Sequence, residues 1–384
     1  MKQRSTICSS KMNLLLTTAK EWRSRAALFA PTHTLLFCLF ASSTLLAAPY
    51  TPADLDEVVL ERNYPTLSFF QETKETRKEN ALEIIDNAEA FVGYGLSNND
   101  PRYLAYAQAL LAPWWQKEDE SIRLLFLRAQ IKQHSHNFSG AIQDLNAIIT
   151  ISPRNTNAIL MRANAYRVSG NFTKSKRDCQ RLLLLSDALV TMNCIAQLSI
   201  FAQDPLSAAH QLEDLLSATQ RVSQELNREV HTTLALLYEA SGLLEVAEKH
   251  YLIALDITPN KLFLLSHYAQ LLLDTNRWKS VLSVFPIEID ALSARIQKAI
   301  AIDRLDLPSR NEVVGELRVE LERIQRRGDL DISKELALFY LYVEVEPEKA
   351  LHYAEKNWSQ QKENSDKSLL VRAARLVNDK KKLN

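Results

Sequence analysis

The sequence is poor in glycine and proline for its length. Its 384 residues include 7 Gly and 12 Pro, whereas 46% of the residues are hydrophobic. Turn-rich β folds need glycine and proline at many chain reversals, so this composition favours long helices and predicts an all-α protein. The length is ample for a sizeable core or an extended array.

The chain also lacks a net charge, because 46 basic residues balance 46 acidic residues. A protein that binds nucleic acid nonspecifically needs a basic surface that neutralises phosphates. The composition therefore indicates no nucleic-acid partner.

Catalytic signatures are missing as well. The sequence has no glycine-rich phosphate loop, no nucleophile elbow and no helix with paired zinc-binding histidines. His134 and His136 lie two residues apart in a polar turn without a third metal ligand, so we interpret them as structural loop residues. We expect neither an enzyme nor a bound metal or cofactor.

Residues 1–48 differ from the rest of the chain. Basic residues from Lys2 to Arg25 precede an apolar run from Leu35 to Ala48, which is the order of segments in a bacterial export signal. Cleavage near Ala48 would leave a periplasmic or exported protein.

An uncleaved N-terminal anchor is the alternative for this segment. Residues 26–48 are long enough to cross a membrane, although Pro31 and His33 weaken that interpretation. The anchor would keep the protein at the inner membrane. Met12 is a second candidate for the true start of the chain.

Two helical patterns around a short turn occupy residues 234–259. Ala235 and Ala247 are small at the positions where two paired helices would cross closely. Gly242 suits the end of the first helix because it adopts a left-handed conformation without steric cost, and Pro259 stops the second helix. The other positions of the pattern are Tyr238, Tyr251 and Ala254. The whole pattern resembles the 34-residue tetratricopeptide repeat (TPR).

The pattern recurs along the chain at the same period. The pair Asn137-Phe138 returns as Asn171-Phe172, 34 residues later. The resemblance implies a TPR-type helical solenoid of antiparallel helix pairs with helical N- and C-terminal caps. The expected regions are 1–48, a signal peptide or anchor; 49–120, a helical region with a degenerate repeat; 121–286, an array of about five units; and 287–384, a partly TPR-like helical region with a capping helix.

Cys179 and Cys194 are the two cysteines beyond the export segment. They fall on the second helix of one repeat and the first helix of the next, each about two turns from the loop near Asp187. Either they form a disulfide, which an oxidising periplasm permits, or they are two buried thiols.

The resemblance also implies a concave groove, lined by the first helix of each repeat. Amide side chains both donate and accept hydrogen bonds, so a row of them suits the backbone of an extended peptide. A clamp for a C-terminal carboxylate is not expected, because Leu160 stands where a lysine is needed. The candidate partner-binding residues are Arg123, Phe126, Gln130, Asn164, Arg167, Asn193, Gln197, Phe263 and Gln270.

Taken together, these patterns predict an exported scaffold that binds a protein or peptide partner and supports complex assembly in the cell envelope. One alternative is a helical-repeat enzyme or enzyme subunit, for which only Glu239 and Asp274 project as acids into the groove. Another is an assembly factor that an uncleaved N-terminal segment anchors to the membrane.

Overall fold

The architecture is wholly helical in the part of the chain that the computed structural model describes. Among these residues there are seventeen α-helices and no β-strand, and no helix is both long and apolar enough to cross a bilayer. Residues 1–48, predicted to be an export signal or a membrane anchor, lie outside this part, and so does the leader up to residue 78. The described ranges, all within the unit Glu72–Asn384, are 81–98, 100–116, 121–286, 291–328 and 331–383.

The helices follow one another as antiparallel pairs, so the predicted TPR-type repeat fold is confirmed. An N-terminal pair, α1 (Ala81–Asn98) and α2 (Pro101–Leu110), precedes a short 3-10 turn at Ala112–Trp114. The array pairs are α3 and α4 (Ile122–His134, Phe138–Ile151), α5 and α6 (Thr156–Val168, Phe172–Leu182), α7 and α8 (Ala188–Ser199, Pro205–Ala218), α9 and α10 (Gln224–Ala240, Leu244–Ile257), and α11 and α12 (Leu262–Asp274, Trp278–Val284). The C-terminal helices are α13 (Leu292–Arg304), α14 (Arg310–Arg327), α15 (Ser333–Tyr342), α16 (Pro347–Gln360) and α17 (Asn364–Leu383).

Asparagine caps set the start of the second helix in two successive repeats. The side-chain oxygen of Asn137 accepts the Gly140 N–H at 3.0 Å, and that of Asn171 accepts the Lys174 N–H at 3.3 Å. These bonds satisfy donors that the first helical turn leaves free. The repeated Asn-Phe pair in the sequence therefore marks a helix start.

Small residues lie where the paired helices approach each other. Ala235 on α9 and Ala247 on α10 are both 0% exposed, and the 0% exposed ring of Tyr251 fills the space beside them. Gly242 joins the two helices at φ +77°, a conformation that side-chain-bearing residues rarely adopt. The close crossing thus depends on residues without bulky side chains.

A buried ion pair also repeats with the period of the array. Arg128 on α3 pairs with Asp144 on α4, and Arg162 on α5 pairs with Asp178 on α6 at 2.6 Å, each partner being shifted by 34 residues. All four side chains are largely buried, so removing one partner would leave an uncompensated charge in the core. These pairs join the two helices of one repeat.

Cys179 on α6 and Cys194 on α7 form a disulfide, with a Cα–Cα distance of 5.6 Å. The structure thereby favours the disulfide over the two free thiols that the sequence left open. The bond ties the second helix of one repeat to the first helix of the next.

The C-terminal helices fold back towards the array. The link from α16 to α17 reaches α5, where the Lys362 N–H donates to the Val168 carbonyl at 2.7 Å. Glu363 lies 4.0 Å from the Arg167 guanidinium, and the Lys362 side chain packs over Gly170. The link that precedes the expected capping helix therefore packs against α5, the first helix of a repeat.

Four polar side chains from α8, α9 and α10 form a chain of hydrogen bonds. Burial lowers the pKa of His250, which is therefore neutral with a single ring N–H. The Glu213 carboxylate accepts from His250 Nε2 at 3.1 Å and from the Tyr238 hydroxyl at 2.5 Å. His250 Nδ1 must then accept, so His231 Nδ1 donates to it at 2.9 Å. Burial and the neighbouring His250 ring also lower the pKa of His231 to about 4, so His231 is neutral at pH 7.

We expect Ala247→Leu to destabilise the fold by about 1–3 kcal/mol, because the larger side chain enters a close helix crossing. Thermal and denaturant unfolding would measure the change. Ala218→Leu, at an exposed position on α8, is the matched control and should change stability little. Equal stability of Ala247→Leu and the parent protein would show that the repeat register is wrong.

We expect acid to destabilise the protein through His231. Its folded pKa lies below the ordinary value of 6.5, so the unfolded chain binds the proton first and stability falls as the pH drops from about 6.5 towards 4. After allowance for partial solvation of the ring, protonation of His231 should lower the free energy of unfolding at pH 5 by about 1 kcal/mol. His231→Asn keeps a hydrogen-bond donor near the position of Nδ1, and the asparagine side chain does not titrate in this pH range. Its free energy of unfolding should fall less between pH 7 and pH 5 than that of the parent, and an equal fall would contradict the assignment.

Candidate functional site

The first helices of the repeats surround a large central cavity of about 2330 Å³. Side chains from α3, α5, α7 and α9 line one side, and residues of the C-terminal region, including Glu335 and Glu363, line the other. The groove expected from the sequence is thus partly closed by the same chain. Eight of the nine candidate residues line this central cavity: Arg123, Phe126, Gln130, Asn164, Arg167, Asn193, Gln197 and Phe263.

Gln270, the ninth candidate, lies in a separate small cavity of about 70 Å³ beside α17, here called the α17 pocket. Its amide donates to Asp274 at 2.9 Å. The Arg372 guanidinium from α17 binds the same Asp274 carboxylate, with one N–O distance of 2.6 Å. The structure therefore separates Gln270 from the other candidate residues.

Two amides of the central cavity differ in how they are bonded. Asn193 on α7 is 7% exposed, and its side-chain oxygen has no hydrogen-bond partner among the described residues. Asn164 on α5 accepts from Arg167 at 2.8 Å. Because a buried polar atom without a partner is costly, Asn193 presents an acceptor that a bound N–H group would satisfy.

Gln133 repeats this feature on α3, since its side-chain oxygen is also buried without a partner in the described structure. Gln197 on α7 makes only a long 3.4 Å contact to Thr233. Among the residues that line the cavity, Asn193 and Gln133 thus each have a buried side-chain oxygen that the described chain leaves without a partner. Amide groups can pair with both the N–H and the C=O of a peptide backbone.

The two candidate arginines already have acidic neighbours. Arg123 pairs with Asp86 at 2.6 Å and with Glu89, both on α1. Arg167 faces Glu363 from the α16–α17 link at 4.0 Å, yet its Nε is buried without a partner. Arg123 therefore helps to join α1 to α3, whereas the buried Nε of Arg167 is a donor that the described chain leaves without a partner.

Apolar side chains are exposed in the same cavity. Phe263 is 42% exposed and packs on His267 with ring centroids 4.4 Å apart, while Leu160 is 38% exposed. Phe126 lines the cavity between these elements and the N-terminal rim. The wall therefore combines amides with separate apolar contact points, as a site for a peptide does.

The two acids that the sequence placed in the groove both line the α17 pocket. Burial raises the pKa of Glu239 to about 7, although the Tyr251 hydroxyl donates to its carboxylate at 2.7 Å. Asp274 is bound to Arg372, as described above. In this arrangement each carboxylate has a partner within the chain.

Several residues of the site were missed by sequence reasoning. Glu335 on α15 lines both cavities, and burial raises its pKa. Glu363 and Arg372 reach the concave face although they follow the array by many residues. The Arg372–Asp274 pair spans 98 positions, so no local pattern in the sequence pointed to it.

His134 and His136, which the sequence analysis considered as metal ligands, lie at the rim of the central cavity. Burial and the charge of His136 lower the pKa of His134. Among the described residues, no group of three or more His, Cys, Asp or Glu side chains is placed to hold a metal ion.

Comparisons with known proteins find similarity in structure only. No family model and no curated protein matches the sequence. A tetratricopeptide repeat protein from Parabacteroides merdae is 14% identical, with 76% of this chain and 98% of that chain covered and a TM-score of 0.37. The human IFIT1 dimer with PPP-AAAA is 14% identical, covering 70% and 72%, with a TM-score of 0.41.

The apo form of the quorum sensor NprR from B. thuringiensis is 13% identical, with 79% of this chain and 88% of that chain covered and a TM-score of 0.38. Likeness at this level carries no information about a ligand or partner of this chain. The fold is decided by the chain's own helix pairs, their 34-residue period and their buried small residues. By these features the protein has the fold of a TPR-type helical solenoid.

Proposed function

We propose that the protein is an exported scaffold that holds an extended segment of a protein or peptide partner in the central cavity and supports complex assembly in the cell envelope. The observation that carries this proposal is the buried, unpaired side-chain oxygen of Asn193 within a wall of further amides. An extended segment exposes N–H and C=O groups at regular intervals, which match such a wall.

The charge of the cavity favours a neutral or basic partner segment. Eight carboxylate side chains and four arginines are among its lining residues. Nucleic acid carries a phosphate on every nucleotide and would meet this acidic surface with unfavourable electrostatics. We therefore propose a protein or peptide partner and no nucleic-acid partner.

A role without catalysis fits the positions of Glu239 and Asp274, the two acids that the sequence placed in the groove. Catalytic carboxylates act with a free face towards a substrate. Glu239 is bonded to Tyr251 and Asp274 to Arg372, and both lie in the small α17 pocket. The proposal therefore assigns binding, and no reaction, to the concave face.

Export is proposed from the order of basic and apolar residues in 1–48 and agrees with the disulfide between Cys179 and Cys194. Structural disulfides persist in oxidising compartments such as the periplasm. Retention of 26–48 as an anchor would place the same scaffold at the inner membrane.

We expect the double variant Asn164→Ala/Asn193→Ala to keep the parent's melting temperature and to lose roughly tenfold or more in partner affinity. Each lost hydrogen bond is worth about 0.5–1.5 kcal/mol, and about 1.4 kcal/mol corresponds to a tenfold change. The measurement is a quantitative pull-down from a native envelope extract, in which the parent and the variants are compared by mass spectrometry.

The matched control is Gln143→Ala/Gln180→Ala, which removes two exposed amides from the outer helices α4 and α6. Proteins that the parent and the control retain and the double variant loses are partners of the central cavity. Equal recovery by all three proteins would exclude the concave face as the binding surface. Addition of nucleic acid as a competitor should leave the recovery unchanged.

We expect the mature protein to begin near Ala48 or Pro49. Intact-mass spectrometry of the native protein, together with fractionation of the cell envelope, measures this directly. An intact N-terminus in the membrane fraction would contradict cleavage and support the anchor.

A further inference from the structure

The link between α6 and α7 departs from the geometry of the other repeats. The helix α6 begins 34 residues after α4 begins, but it has 11 residues whereas α4 has 14. After Leu182 the chain turns, and the N–H groups of Leu185 and Ser186 both donate to the Leu182 carbonyl at 2.9 Å. The second helix of this repeat therefore ends early, and a hydrogen-bonded turn of the 3-10 type follows it.

This turn carries two large apolar side chains that are exposed. Leu183 is 60% exposed and Leu184 is 87% exposed, whereas Ile149, which precedes Leu183 by one repeat, is 8% exposed. No other large hydrophobic side chain of the described residues is as exposed as Leu184. Leu183 and Leu184 are called the apolar tip below.

The surrounding structure holds the apolar tip in its outward position. Leu182 is 0% exposed and already fills the core beneath it. The disulfide of Cys179 and Cys194 joins the helices on either side of the link. The tip therefore has no vacant core position to enter, and its helices cannot separate to make one.

Exposed cations lie on α6, which leads to the apolar tip, and on the α4–α5 link, in a protein without net charge. Arg181 donates to the Pro153 carbonyl and so holds the α4–α5 link beside the end of α6. Between residues 151 and 187 the exposed acid is Asp187, because Asp178 is buried against Arg162. The exposed cations of this segment, none of which pairs with a carboxylate of the described residues, are Arg154, Lys174, Lys176 and Arg177.

We propose that the apolar tip docks the protein on the surface of an anionic lipid bilayer. Apolar side chains that project from a basic surface enter the boundary between headgroups and acyl chains, while the cations remain at the lipid phosphates. This surface lies outside the central cavity, so membrane docking leaves the cavity free for a partner.

The size of the tip favours a bilayer over a protein partner. Stable protein interfaces generally bury more than about 1,000 Å² and need a broad complementary surface. Two neighbouring leucines cover a small fraction of such an area. A bilayer needs only a protruding apolar group and opposite charge, and both are present here.

The test is flotation of the full-length protein with vesicles of phosphatidylcholine alone or with added phosphatidylglycerol. The parent should bind the anionic vesicles more strongly, and this preference should weaken in high salt. Leu183→Ser/Leu184→Ser should lower the partition coefficient roughly tenfold or more, because two apolar side chains no longer leave water. Lys176→Gln/Arg177→Gln should lower it roughly fivefold for each charge removed.

The matched control is Leu252→Ser/Ile253→Ser on α10, where the side chains are 47% and 41% exposed and the helix is regular. Its partition coefficient should equal that of the parent. All these proteins carry residues 1–48, so any binding by that segment is common to them. Amide hydrogen exchange supplies a local measurement, in which anionic vesicles should slow exchange at residues 183–187.

Equal partitioning of the parent and the Leu183→Ser/Leu184→Ser variant, without slowed exchange at the tip, would overturn the proposal. Sedimentation of the same proteins without lipid tests whether the apolar tip instead mediates self-association. A dimer that the leucine variant loses, with unchanged vesicle binding, would assign the tip to self-association instead. Unchanged circular dichroism and melting temperature of the variant would show that its fold is intact.

Discussion

The close approach of the two helices in each repeat is the constraint on which the remaining structure depends. Ala235 and Ala247 allow α9 and α10 to cross without side chains between them, and Ala129 and Ala141 do the same for α3 and α4. When the two helices of each repeat pack closely and the repeats stack, the first helix of each repeat faces the inside of the array. The amides of those first helices are then brought to one surface, although they are far apart in the sequence.

Polar groups inside the protein fall into two classes. Arg128–Asp144 and Arg162–Asp178 are largely buried ion pairs, and each joins the two helices of one repeat. The oxygens of Asn193 and Gln133 are buried and unengaged. Buried polar atoms without a partner are uncommon in folded proteins, so these two amide oxygens are unusual features of the described residues at the cavity.

The C-terminal helices cover part of the concave face. Arg372 on α17 binds Asp274 on α11, and the α16–α17 link contacts α5 through Lys362. One part of the inner surface is thereby covered by the chain itself, including Gln270, while the part near Asn164 and Asn193 remains open to the central cavity. Intramolecular contacts therefore decide which of the candidate amides line the central cavity.

The sequence by itself determined the helix pairs, their register and the inward direction of the first helices. These follow from local spacing, because alanine, glycine and capping asparagine act within one or two turns of the chain. Eight of the nine candidate residues lie at one cavity, and their role in binding is a proposal. Only the tertiary structure decided the pairing of Cys179 with Cys194, the position of Gln270 beside α17 and the outward turn at Leu183 and Leu184. Each of these depends on how distant or neighbouring helices pack in space, and a repeat pattern that records spacing along the chain holds no information about that packing.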